Sequence, residues 1–476
     1  MSHESAYRLT VGLEIHAELA TDSKIFCGCK NAFGGQPNTR TCPVCAGLPG
    51  ALPVLNRRAV ELAATAGLAL NCTVQSYSAF DRKSYFYPDL PKGYQITQFY
   101  HPICTDGFLI IGGRRIGIER VHLEEDAGKL VHDQKGGRSL VDYNRCGVPL
   151  IEIVTRPDFH SAGAAKEFVA AVAGRLKYAG VCDGRMEQGS LRCDVNLSVA
   201  RTGAPLGVRT EMKNLSSLRA VARAIEAEYR RQVSILEAGG RIRQETLRFD
   251  ETAGVTIPLR DKAEAHDYRY FPEPDLPPIR LEQEDIARLA AQLPEMPDKR
   301  QERYRQWGIA AADAALLAED RALSDFYDRA VQVYPAYRPC AALTLTALLR
   351  CLKEVGCGTA ENLRFGPAEL AALTRMQEEG KVSKNAAREI LRSLFQEGGS
   401  PEEIARRKGY LMGRDIHEVD GAVAEAMAAH PKAVAQYRAG EEKVLGFLMG
   451  QACRRLGPSA NPALVRERLL RALGRS

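Results

Sequence analysis

The sequence predicts an α+β protein: a sheet-rich N-terminal part that carries the chemistry, then an all-helical part, then a small basic helical tail. Three observations carry this. Segments of apolar/polar alternation recur through the first 283 residues, and beyond Glu284 the chain turns Ala-, Leu-, Glu- and Arg-rich at helical spacing. A length of 476 residues exceeds what one hydrophobic core serves, so several domains follow. Proline and glycine punctuate at Pro294–Pro297 and at Glu397-Gly-Gly-Ser-Pro401, and Lys408–Gly413 reads as a linker. The divisions expected are 1–293, 294–407 and 408–476.

The first element is Thr10–Leu19. Val11, Leu13, Ile15 and Ala17 fall on one side of a strand, and Gly12, Glu14, His16 and Glu18 on the other. A carboxylate and an imidazole then point the same way from a rigid element, which suits a hard metal ion or proton transfer. The plain alternative is a solvated face. Glu18 reads as the solvated end of that face.

Cys27, Cys29, Cys42 and Cys45 follow as two close pairs separated by a Gly/Asn/Pro-rich loop. Such pairs bring four thiolates to tetrahedral positions, and a structural zinc is the reading, with a redox pair as the alternative. The other cysteines are scattered, and Cys340, Cys351 and Cys357 read as small buried residues. Asn56 caps a helix. Phe80–Gln98 mixes cations, aromatics and turn formers, and reads as a loop. In it Lys83 and Lys92 suit phosphates and the tyrosines suit a base or ribose; a packed aromatic patch is the alternative.

A strand over Arg115–Leu123 ends in Glu124-Glu125-Asp126, three acids that repel unless solvated or shared with a cation. Glu152 is a lone acid inside the apolar run Leu150–Val154, costly in a central strand unless paired or metal-bound. A Ser161-capped helix reaches about Tyr178. The cleanest strand then spans Gly189–Val199, with Arg192, Asp194, Asn196 and Ser198 on its polar face. Its hairpin partner places Arg209, Glu211 and Lys213 together. A Ser217-capped helix ends at Gly239-Gly240, and the last helix starts at Asn461-Pro462.

The chain carries a formal net charge of +6. From Pro431 to Ser476 nine Lys/Arg stand against three Glu, so the tail holds an excess equal to that of the whole chain. A basic tail on a neutral body suggests a polyanionic partner, or else a solubilising surface. No apolar run approaches the roughly 18 residues that span a bilayer, and Met1–Ser5 has no apolar signal core, so a soluble cytoplasmic protein is expected.

No phosphate-binding G-x-x-x-x-G-K-[ST] or G-x-G-x-x-G motif occurs. ATP, if bound, meets a sheet face of acids, metal and basic side chains. Glu14, His16, Glu125 and Glu152 are mostly oxygen donors and favour Mg²⁺, while Lys83, Arg192 and Lys213 suit phosphate charge. The residues alone stop at a metal-dependent enzyme of mixed fold with a basic helical appendage. A non-catalytic zinc- and RNA-binding scaffold shares the cysteines and the tail but has no use for Glu152.

Val11–Leu19, Phe80–Asp89, His122–Lys129, Pro149–Val154 and Asp267–Asp275 together resemble the GatB family, the B subunits of tRNA-dependent amidotransferases. The resemblance runs the full length and lacks the large insertion of GatE relatives. It implies a kinase-like catalytic domain similar to glutamine synthetase, a helical domain, and a tail that grips tRNA. It further implies ATP- and Mg²⁺-dependent amidation of Glu-tRNA(Gln) or Asp-tRNA(Asn), with ammonia delivered by a GatA amidase and a small GatC protein clamping the pair. The family's metal motif falls on Glu14, His16, Glu125 and Glu152. Its ATP-side positions fall on Lys83, Tyr85, Arg192, Asp194 and Lys213, with Glu125, Glu152 and Lys83 as catalytic residues. The cysteine quartet matches zinc-bearing members.

Overall fold

In the computed structural model, which describes residues 6–133, 137–261, 268–355, 360, 363–412, 416–457 and 460–474, the alternating N-terminal segment forms β1 (Tyr7–Glu18). Cys357, Asp267, the first five residues and Gly413 lie outside the described residues. The chain divides into two compact units, 1–296 and 297–476.

In the first unit β1 is the middle strand of a nine-stranded mixed sheet. The other eight are β2 (Thr73–Val74), β5 (Cys104–Ile111), β6 (Arg114–Glu125), β9 (Pro149–Thr155), β10 (Leu191–Arg201), β11 (Thr210–Leu215), β12 (Glu245–Asp250) and β13 (Val255–Asp261). Their order is β13-β12-β11-β10-β1-β9-β6-β5-β2, with β11 and β12 parallel. One face is apolar: Val11, Leu13, Ile15 and Ala17 are at most 1% exposed. It packs on α1 (Arg57–Ala69), α2 (Ala162–Tyr178) and α3 (Leu218–Glu237) in one core. Each helix starts where a side chain replaces a missing backbone acceptor. Asn56, Ser161 and Ser217 accept from the N–H of Arg58, Ala164 and Ala220.

The stretch Phe80–Gln98, expected as a loop, is largely a hairpin of β3 (Tyr77–Ser84) and β4 (Tyr94–His101). Pairing between side chains, rather than solvent, satisfies its mixed composition. Arg82 forks onto Glu273 at 2.7 and 3.0 Å, and Asp81 Oδ2 accepts from the N–H of Phe99 and Tyr100. Phe80 and Ile96 are buried between. A separate two-stranded ribbon joins β7 (Lys129–Asp133) to β8 (Arg138–Asp142).

The second unit is helical. Tyr304, Tyr327, Leu370 and Ile390 belong to one buried cluster, and Val419, Leu448, Val465 and Leu469 to another. Cys340 and Cys351 are buried as expected. The segment read as a linker at Lys408 is tied down as far as Met412. Met412 N–H donates to Lys381 O at 2.8 Å, Leu411 bridges Val382, and Lys408 Nζ donates to Ser393 Oγ. Among the described residues no helix is long and apolar enough to cross a membrane.

Candidate metal and phosphate site

The polar face of the sheet is built by register. Antiparallel pairing sets Arg120, Val154, Glu14 and Asp194 in one row across β6, β9, β1 and β10, and His122, Glu152, His16 and Arg192 in the next. Residues two apart in one strand share a face, so each row continues the chemistry of its neighbour.

Two groups of ligand atoms result. His16, Glu124 and Glu152 form the first, with donor atoms within 4.8 Å of one another. His16 Nε2 lies 3.3 Å from Glu152 Oε2 and 3.8 Å from Glu124 Oε1. His122 Nε2 stands 3.6 Å from both carboxylates. Glu14, Asp194 and Glu211 form the second group. There Asn196 donates to Glu14 Oε1 at 2.8 Å, and Lys213 Nζ sits 2.8 Å from Glu211 Oε1 and 3.5 Å from Asp194 Oδ2.

The charges are set by these neighbours. Burial alone would lower the pKa of His16, but Glu152, Glu124 and Asp194 raise it to about 9. Burial works against the Glu152 carboxylate, yet His122 and His16 hold its pKa below the usual range. Burial and the charge of Glu152 push Glu14 upward. Burial also opposes the Lys83 ammonium, and Glu124, Tyr270 and Glu152 overcome it to raise its pKa. Lys83 therefore stays cationic beside the first group, with its Nζ 4.7 Å from the Tyr268 ring centroid.

The structure thus brings Glu14, His16, Glu152, Lys83, Asp194 and Lys213 to one face. Three expected residues stand elsewhere or are already engaged. Glu125 points to the opposite side of β6. It accepts Lys92 Nζ at 2.5 and 2.6 Å and the N–H of Ile96 at 2.9 Å, and it borders a cavity of about 250 Å³ shared with Phe26 and Cys45. Glu124 stands with His16 and Glu152 instead, because strand alternation puts 122 and 124 on the polar face and 125 off it. Arg192 donates to Asp126 Oδ2 at 2.8 Å. Tyr85 lies in the turn after β3, its ring 5.2 Å from that of Tyr87, with its pKa raised to about 12 by burial and by Asp89. Glu18 is not a solvated end: burial and Asp126 raise its pKa to about 7. Reading the acid run in steps of two from the Arg115–Leu123 strand is the signal that identifies Glu124 and His122.

His16, Glu124 and Glu152 give one imidazole and two carboxylates, a donor set that fits Mg²⁺ or Mn²⁺. The cysteine loop fits zinc. The four Sγ atoms lie within 4.8 Å of one another, with Cys42 and Cys45 at 3.9 Å, and a Zn–S bond of about 2.3 Å sets tetrahedral sulfurs about 3.8 Å apart. The Cys27 thiol donates to Cys45, and together with Lys24 it lowers the Cys45 pKa to about 4. Lys24 is fully buried, its Nζ donating to Arg40 O at 2.9 Å and Tyr143 O at 3.1 Å. The loop is docked further by Asn38 on Val141 O and by Arg40 N–H on Asn144 Oδ1. Gly147 N–H then bonds Asp126 O at 2.9 Å, so the knuckle braces the chain that follows the acid run.

Comparison with known proteins agrees in extent with this organisation. A family model described as the GatB/GatE catalytic domain matches residues 9–287, and one described as a GatB domain matches residues 325–473. The B subunit of the aspartyl/glutamyl-tRNA(Asn/Gln) amidotransferase of Ruminiclostridium cellulolyticum is 50% identical over 467 residues, 97% of this chain and 96% of that protein. The protein of the same name from Myxococcus xanthus is 48% identical over 476 residues, 99% of each. That from Moorella thermoacetica is 47% identical over 476 residues, 97% and 99%.

Proposed function

This chain belongs to the GatB/GatE family, and from that premise we propose that it activates the side-chain carboxylate of Glu or Asp carried on tRNA(Gln) or tRNA(Asn) for conversion to the amide. The observation that carries the reading is the His16–Glu152–Glu124 group beside a half-buried, cationic Lys83. A carboxylate is a poor acceptor for ammonia. Attack of its oxygen on the γ-phosphorus of ATP breaks the bond to ADP and leaves an acyl phosphate. Ammonia then bonds to the acyl carbon, phosphate departs with the C–O electron pair, and the nitrogen loses a proton.

The difficulty of the first step is two anions approaching each other. A divalent cation held by His16, Glu124 and Glu152 would supply charge neutralisation at the phosphate oxygens. Lys83 adds a fixed positive charge from the β3 side, and Lys213 another from β11. Glu152 stays ionised as a donor because two imidazoles flank it. A cavity of about 290 Å³ beside Glu14, lined by Gly12, Asn196, Ser198 and Arg209, offers amide, hydroxyl and guanidinium groups to a nucleotide. One polar face of a largely antiparallel sheet as a phosphate platform is in keeping with a kinase-like, glutamine synthetase-like architecture.

The cysteine loop holds a structural zinc in this reading. The chain works in the cytoplasm with an amidase that supplies ammonia and a third protein that clamps the two. The test is ATP hydrolysis by the reconstituted complex. Stimulation by misacylated tRNA, but not by correctly acylated tRNA, supports catalysis; hydrolysis indifferent to the aminoacyl group leaves only a scaffold.

A further inference from the structure

We propose that an aromatic strip formed by Tyr268, Tyr270, Phe99 and Tyr100 stacks the 3′-terminal nucleotide of the aminoacylated RNA and so aims its ester at the carboxylate group. This rests on the reading above that an aminoacylated RNA is the substrate.

The strip is continuous with the site. Thr97 Oγ1 donates to Glu124 Oε2 at 3.2 Å, and Phe99 and Tyr100 follow it in β4 where the β3–β4 register shifts, both N–H groups donating to Asp81 Oδ2, so the two rings lie together. Arg120 is one same-face step from His122 along β6. One such step is about 7 Å. Lys83 links the two regions, since its ammonium faces Glu124 and Glu152 while lying over the Tyr268 ring.

The rings are arranged but not covered. Phe99 and Tyr270 stack with centroids 4.1 Å apart and planes 13° from parallel, and Tyr100 meets Phe99 edge-on at 5.0 Å. Phe99 nonetheless remains 40% exposed and Tyr100 55%. Large aromatics ordered against one another and left open to solvent mark an interaction surface. The charge nearby is positive. The Arg120 guanidinium lies 5.9 Å from the Phe99 centroid; its buried Nε has no hydrogen-bond partner among the described residues, and the Glu119 carboxylate is 3.7 Å from its Nη1. A partly exposed guanidinium among open rings suits a phosphate next to a stacked base.

Chemistry selects the occupant. The amino acid is esterified to the terminal ribose, so the terminal base must lie one ribose and one amino acid from the reacting carboxylate. In the reading above the nucleotide takes the separate cavity beside Glu14 and Asn196, on the β1–β10 side, which leaves the strip free for the RNA end.

The test uses the full chain reconstituted with its amidase and clamp partners, and a tRNA(Gln) transcript whose terminal adenosine is replaced by 2-aminopurine. Binding to the unaltered complex is expected to quench the probe. Phe99→Leu and Tyr270→Leu are expected to reduce the quench and raise KM for misacylated tRNA roughly 5- to 150-fold, the range for loss of one stacked base, with KM for ATP unchanged. Phe99→Trp keeps a stacking face and is expected to restore both. Unchanged quench and unchanged KM for tRNA in both Leu variants overturn the inference. So does a rise confined to KM for ATP, which gives the strip to the nucleotide, or loss of complex assembly, which makes it a protein interface. An unaltered complex that fails to amidate any misacylated tRNA rejects the proposed function itself; an active complex with unmoved variants rejects only the strip.

Discussion

Glu124 and Glu125 are adjacent and both nearly fully buried, yet they serve opposite faces of one strand: Glu124 Oε1 lies 3.8 Å from His16 Nε2, and Glu125 Oε1 lies 2.5 Å from Lys92 Nζ. Alternation along β6 is sufficient cause. The two carboxylates therefore have separable surroundings, one beside two imidazoles and one beside a half-buried ammonium.

Glu124→Gln is expected to weaken Mn²⁺ binding at least about tenfold and to lower kcat/KM for amidation a hundredfold or more, with little loss of stability. Glu125→Gln leaves the half-buried Lys92 charge without its counter-charge, and is expected to cost about 2 kcal/mol of stability while Mn²⁺ affinity stays within threefold. Calorimetric titration and urea unfolding of both variants separate the roles; the reverse pattern would return Glu125 to the metal group.

The raised pKa of His16 makes the metal-free chain sensitive to pH. Its folded value of about 9 exceeds the unfolded value near 6.5, so the native state binds more protons between them. The contribution of this residue is complete below pH 6.5 and is lost as pH rises through 9, by roughly 3 kcal/mol. A cation requires the neutral imidazole, so binding Mn²⁺ at pH 7.5 is expected to release about one proton. Titrations in buffers of different ionisation enthalpy count that proton, and His16→Asn should abolish it. Equal proton counts in both proteins contradict the assignment.

Removing zinc is expected to loosen the first unit while leaving the second intact. The loop from Asn38 to Cys42 is docked on residues 141–144, and the buried Lys24 ammonium both ties those segments and faces the thiolate cluster. Lys24→Met is expected to speed zinc transfer to a chromogenic chelator about tenfold or more, and Lys24→Arg less. A Met variant that retains zinc like the parent reduces Lys24 to a packing residue.

The final helices form their own buried cluster around Val423, Leu448 and Leu469. Ending the chain after Met412, which is still bonded to the preceding helices, is expected to weaken tRNA binding and flatten its dependence on salt, because phosphate contacts are lost. Unchanged affinity and slope reject a role for the tail in RNA binding.

Much of this was legible in the sequence because local rules coincide with the fold. The period of two through Thr10–Leu19 set both faces of the central strand, and Asn56, Ser161 and Ser217 marked helix starts that the structure keeps. Lone Glu152 in an apolar run announced a residue that needs partners, because its burial is costly without them, and His16 and His122 stand beside it. What failed depended on distant partners. The composition of Phe80–Gln98 resembles a loop until Glu273, nearly two hundred residues on, neutralises Arg82. Glu124 and Glu125 differ only in parity, so the strand register decides which of them faces His16. The polar face carrying Glu211 was legible from alternation, but that Glu211 stands with Glu14 and His122 with Glu152 took the strand register.

The most direct test follows an oxygen atom. Glu-tRNA(Gln) carrying ¹⁸O in the glutamyl side-chain carboxylate is amidated by the reconstituted complex with unlabelled ATP, and the released phosphate is analysed by mass. Activation by phosphorylation transfers one ¹⁸O to phosphate for each amide formed, and Glu124→Gln should suppress transfer and amide together. Amide formation with unlabelled phosphate would contradict carboxylate phosphorylation on this sheet face.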